Sequence, residues 1–129
     1  MGGCGSKDNV ANVKSIRMKK VFVTGGNSGI GLALVEQLAT DFKCYVFMGS
    51  RSIERGQAAI DGLPDGCKGK IEIVQLDISN SDSVKAAVTT MQGKLGGEKL
   101  FALVNNAGAG GAQGVKADVI IQTNCYGTQ

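Results

Sequence analysis

Histidine and tryptophan are absent from this chain of 129 residues, and proline occurs once, at Pro64. With no histidine, and with Cys4, Cys44, Cys67 and Cys125 never forming a C-x-x-C pair, the sequence argues against a zinc site of the usual Cys/His kind. Scattered thiols without a hydrophobic leader fit a reducing compartment, so a cytoplasmic location is expected. No apolar run approaches the length of a membrane span. Aromatic residues make up 5% of the chain and the formal net charge is +3, too small a surplus to suggest a nucleic-acid partner. What is plentiful is glycine, 20 residues, on a hydrophobic content of 43%, enough for the core of one domain.

The glycines cluster where they carry most information. Val21-Phe22-Val23 is a short β-branched and aromatic run; Thr24-Gly25-Gly26-Asn27-Ser28-Gly29-Ile30-Gly31 follows, and an amphipathic helical pattern begins at once. Strand, glycine turn and helix in that order are the context that makes a glycine motif a dinucleotide-binding candidate. Glycine lets the backbone turn sharply and approach a pyrophosphate. The helix from Gly29 aims free N–H groups and the positive end of its dipole at the anion. The plain alternative is a tight turn. A second cluster, Asn105-Asn106-Ala107-Gly108, closes the run Lys99 to Val104 two β–α units further on.

T-G-x-x-x-G-I-G at Thr24–Gly31, followed at this separation by N-N-A-G, resembles the short-chain dehydrogenase/reductase family. The resemblance covers nearly all of 19–129. It implies an α/β fold, a Rossmann-type doubly wound parallel sheet truncated after about four strands, over 18–129, with 1–17 as a flexible arm. It implies a nicotinamide cofactor held by Thr24, Gly25, Asn27, Ser28, Gly29, Ile30 and Gly31. Asp77 and Ile78 would line the adenine pocket; Asn105, Ala107 and Gly108 would border the ribose and nicotinamide. Asn124 matches the helix-borne asparagine of the family's catalytic tetrad, which holds a proton-relaying water. The tetrad's Ser, Tyr and Lys have no counterpart here: Tyr45 is followed at the Y-x-x-x-K spacing by Gly49, and the chain stops before the position for Tyr126. The implied partner is a small-molecule carbonyl or alcohol substrate, with a homo-oligomer as a further implication for a full-length parent. The chain alone is expected to be inactive, and the alternative reading is a non-catalytic, lipid-anchored nucleotide-binding module or an incomplete gene product.

Taken in order, Lys20–Thr24 reads as the first strand and Gly29–Thr40 as a helix whose Ile30, Leu34 and Leu38 face the sheet. Cys44–Met48 is the second strand, ending in Gly49-Ser50-Arg51. No acid stands there to hold a ribose 2′-hydroxyl. Arg51 instead suits a 2′-phosphate, Ser50 can donate to it, and Arg55 lies one turn on, so NADP(H) is favoured over NAD(H). Against that stands Arg51 as an ordinary solvated side chain. Ser52–Leu63 reads as a Ser52-capped helix, Ile71–Leu76 as the third strand, and Val84, Val88, Met91 and Leu95 as the core stripe of the next helix. The fourth strand, Lys99–Val104, would present Leu100 to Val104 as an exposed apolar edge, and another helix is expected over Ala117–Gln129.

Met1-Gly2-Gly3-Cys4-Gly5-Ser6 matches M-G-x-x-x-S, an N-myristoylation pattern, with Cys4 placed for palmitate. A membrane partner is expected only if Gly2 or Cys4 is acylated. The alternative is a disordered tail that happens to begin with Gly-Gly.

Overall fold

The computed structural model describes residues 17–108. Four strands, β1 (Lys20–Val23), β2 (Tyr45–Ser50), β3 (Ile71–Gln75) and β4 (Ala102–Val104), form one parallel sheet in the order β3-β2-β1-β4. The helices are α1 (Gly29–Thr40), α2 (Ile53–Asp61), the single turn α3 (Asp65–Lys68) and α4 (Ser81–Leu95). Because parallel crossovers are right-handed, the two steps from β1 to β2 to β3 lay α1 and α2 on one face. The return from β3 to β4 lays α4 on the other. The sheet is therefore doubly wound, as the sequence implies.

β1 and β2 are buried on both faces, which is why they read as continuous apolar runs. Val21, Val23, Val46 and Met48 point into the core beneath α1 and α2 with Val35, Ala39 and Ile60. Phe22, Phe47 and Val74 point the other way, against Ala87 and Met91 of α4. The two faces alternate along each strand with the period of two that the pleat imposes.

Local signals set most boundaries. Ser52 caps α2 by accepting from the Arg55 N–H. Asn80 caps α4 by accepting from the Asp82 and Ser83 N–H groups, and α4 ends on Gly96 in the left-handed conformation. β2 runs on to Ser50, past the expected Met48, because Gly49 and Ser50 still pair in register with Val74 and Gln75 of β3. β4 is shorter than the apolar run suggested, three residues instead of six.

Two helix phases differ from expectation. The buried line of α1 is Gly31, Val35 and Ala39, while Ile30 is 83% exposed and Leu34 and Leu38 pack at the flanks. The spacing is right but the phase is one residue off, because the small residues let the helix sit close on the sheet. In α4, Val88 is exposed; Ala87 and Met91 are the buried positions.

β4 is the sheet edge among the described residues, and Phe101 and Leu103 are exposed there. Between β4 and α4 lies an apolar groove of about 370 Å³, walled by Phe22, Leu76, Val84, Met91, Leu95 and Leu103. Residues 1–16 of the expected arm over 1–17, the helix over Ala117–Gln129, and Asn124 lie outside the described residues.

Candidate functional site

In an open α/β sheet, ligands bind beyond the carboxyl ends of the strands, where crossovers leave neighbouring strands in opposite directions. Here that point lies between β1 and β4. The segments beyond it are Thr24–Gly31 and Asn105–Gly108, the two motifs that were singled out from sequence.

The two motifs are stitched together. The Thr24 backbone N–H donates to the Val104 carbonyl at 3.0 Å, and its hydroxyl accepts from the N–H groups of Asn106 and Ala107, each at 2.9 Å. The Asn106 side-chain amide donates to the carbonyls of Thr24 and Gly25, each at 3.1 Å. A buried threonine thus satisfies two backbone donors, and one asparagine satisfies two turn carbonyls that would otherwise lack partners.

The glycines have separable causes. Gly25 turns with φ +64°, and a Cβ there would lie 2.9 Å from the Ala107 Cα. A Cβ on Gly31 would lie 2.3 Å from the Gly25 carbonyl oxygen and 2.4 Å from the Asn106 amide nitrogen. Gly29 is different. Its φ is +54°, yet a Cβ would meet nothing within 4 Å, so glycine is required there by conformation and the space in front of it is open. Gly26 packs inward, facing Met48 and Val35.

The head of α1 beside that space carries no acidic residue in its first turn. Its Ser28 makes no side-chain capping bond. Asn27 and Ser28 side chains make no hydrogen bond to other described residues, and Ile30 projects beside them, exposed. The first N–H groups of α1 are thereby left for an outside acceptor.

At the end of β2, Arg51 is exposed and forms no ion pair with any other described residue, and neither does Arg55. Ser50 departs from its expected role: it is 1% exposed and its hydroxyl donates to the Ser52 carbonyl at 2.7 Å. Its proton is committed to the turn into α2, leaving an acceptor oxygen rather than a donor. Asp77 shapes its own loop. One carboxylate oxygen accepts from the Ser79 N–H and hydroxyl at 3.0 and 2.6 Å, and its N–H donates to the Ser83 hydroxyl. Ile78 is also otherwise placed, buried at the wall of the α4 groove. Asn105 and Gly108 are exposed at the mouth, with Ala107 half-buried against Gly25.

Asn106 belongs to the N-N-A-G cluster read from the sequence, and the structure divides the work of the doubled asparagine: Asn105 faces solvent while Asn106 holds the turn.

A family model for short chain dehydrogenases matches residues 19–127. Human carbonyl reductase (NADPH) 1 is 38% identical over 114 residues, 83% of this chain and 40% of its own length. A 3beta-hydroxysteroid dehydrogenase of Mediterraneibacter gnavus is 42% identical over 94 residues, 73% of this chain and 33% of its own. The solved structure of an NADPH-bound carbonyl reductase from chicken fatty liver superposes with a TM-score of 0.67 at 28% identity, covering 87% of this chain and 48% of that one. The chain therefore spans less than half the length of these relatives. With the sheet order, the glycine turn and the N-N-A-G brace all in place, it belongs to the short-chain dehydrogenase family.

Proposed function

We propose that this chain is the cofactor-binding half of an NADP(H)-dependent oxidoreductase acting on a carbonyl or alcohol substrate. The observation that carries the reading is the open space in front of Gly29, at the unblocked head of α1, with two guanidinium groups one strand away that have no ion-pair partner among the described residues. Thr24, Gly25, Asn27, Ser28, Gly29, Ile30 and Gly31 would hold the pyrophosphate side. Arg51 would hold the 2′-phosphate, with Arg55 beside it. Ser50 would serve by shaping the turn that presents Arg51. Asp77 would reach the adenine amino group with its remaining carboxylate oxygen, and Ile78 would stiffen that loop from the core. Asn105, Ala107 and Gly108 would border the ribose and nicotinamide. Asn124 is proposed as the tetrad asparagine. The nicotinamide, when bound, supplies or accepts the hydride. The chain's own part is to fix the cofactor by dipole, backbone donors and guanidinium charge.

Fluorescence titration of the chain with NADPH and NADH tests the reading. A guanidinium–phosphate contact contributes about 1.5–3 kcal/mol, about ten- to a hundredfold in affinity. Arg51→Glu should lower NADPH affinity by at least that factor and leave NADH almost unchanged. Equal affinity for the two coenzymes in the parent, or preference for NADH, would overturn the proposal for Arg51.

A further inference from the structure

The far end of the sheet, where the strands begin, is not used by the cofactor site. Residues 17–19, 41–44 and 96–101 meet there. The Tyr45 N–H donates to the Lys19 carbonyl and the Phe101 N–H to the Lys20 carbonyl, at 2.9 and 2.8 Å. Three large apolar side chains stand out from this end: Phe42 is 65%, Phe101 63% and Met18 42% exposed. Around them are Arg17, Lys19, Lys20, Lys43, Lys70 and Lys99. The Lys19 ammonium lies 4.5 Å from the centre of the Phe101 ring.

Acids are outnumbered at this end, and Glu72, near the start of β3, is paired with Lys94 and accepts from the Tyr45 hydroxyl. Glu98 is shared between Arg17 and Lys20 at 2.7 and 3.0 Å, and Asp41 follows α1. Asp65 is taken by Lys68, and Asp61 accepts from Gln57. Lys19, Lys43 and Lys99 form no ion pair with any described residue. The sequence before Arg17, outside the described residues, carries Lys7, Asp8, Lys14 and the Met1–Ser6 acylation pattern that the cofactor site does not employ.

We propose that this end of the sheet is a docking surface for anionic lipid membranes. Lysines attract the acidic headgroups, and Phe42, Phe101 and Met18 enter the interfacial layer. Exposed apolar side chains with no polar handle favour a lipid surface over a nucleic acid. Docked this way, the protein holds its glycine turn, at the opposite end of the strands, toward water. The inference does not rest on the cofactor assignment.

The test is co-sedimentation of the whole chain with phosphatidylcholine vesicles, with and without about 30% phosphatidylserine, at low and high salt. Anionic vesicles should retain at least about tenfold more protein than neutral ones, and high salt should abolish the difference. Lys19→Glu/Lys43→Glu/Lys99→Glu should fall to the neutral-vesicle level, with Lys→Gln at the same positions falling part of the way. Phe101→Ser, which leaves the charge unchanged, should weaken binding severalfold. Circular dichroism melts matching the parent would show that these variants fold. Equal retention on both vesicle types, or a triple charge-reversal variant that binds like the parent, would overturn the proposal. So would capture of an oligonucleotide that displaces the vesicles.

Discussion

A methyl group added at Gly31 provides a sharp test of how the glycine turn is built. Gly31 lies in the first turn of α1, where alanine is ordinarily preferred to glycine by about 1 kcal/mol. Here the new Cβ would sit 2.3 Å from the Gly25 carbonyl oxygen and 2.4 Å from the Asn106 amide nitrogen. The first neighbour is backbone and cannot swing aside. Crowding of this kind costs about 1–3 kcal/mol. Displacing Asn106 also breaks its two bonds to the Thr24 and Gly25 carbonyls, at about 0.5–1.5 kcal/mol each. After the propensity gain, Gly31→Ala should destabilise by about 3 kcal/mol. Gly93→Ala, in α4 with nothing within 4 Å of its Cβ, should instead stabilise by about 0.5–1 kcal/mol. Urea unfolding followed by circular dichroism measures both. Gly31→Ala combined with Asn106→Ala should be less damaging than the sum of the two, because the first change already breaks the bonds that the second removes. A Gly31→Ala variant as stable as the parent, or an additive double variant, would refute the assignment of the brace.

Other expectations follow from the same geometry. Thr24→Val keeps the shape but leaves the Asn106 and Ala107 N–H groups without their acceptor. It should cost about 2–4 kcal/mol, while Thr24→Ser should recover most of that in the same unfolding assay. Leu103 is 57% exposed on the edge strand, so Leu103→Lys should reduce aggregation measured by light scattering without lowering the melting temperature. The hydrogen bond and charge of Lys20, with Arg17 beside it, hold the Glu98 carboxyl below its ordinary range. A carboxyl so lowered stabilises the fold at pH above its unfolded pKa, and that share is lost as pH falls through the folded value. The acid side of the stability curve should therefore be shallower in Glu98→Gln, as read from melting temperatures across pH 3–6.

Much of the architecture was legible because its causes are local. The strand–glycine–helix order at Val21–Gly31, the caps at Ser52 and Asn80, and the glycine stop at Gly96 each depend on a few consecutive residues. Once the order β3-β2-β1-β4 is formed, the handedness of crossovers fixes which face each helix takes. The motifs at Thr24–Gly31 and Asn105–Gly108 were legible as a pair for the same reason.

What the sequence could not decide was which atom each side chain would meet. The phase of α1 turned on how closely Gly31 could approach the Gly25 backbone, so Ile30 went to solvent and Val35 to the core. Ser50 gave its proton to a carbonyl two residues on. Ile78 was drawn into the wall beneath α4. Asn106 became the brace because β4 lies beside β1, placing its amide against carbonyls some eighty residues earlier in the chain. Glycine, caps and apolar runs are written into the chain because they act on their neighbours. Partners across the sheet exist only once the strands have been laid side by side.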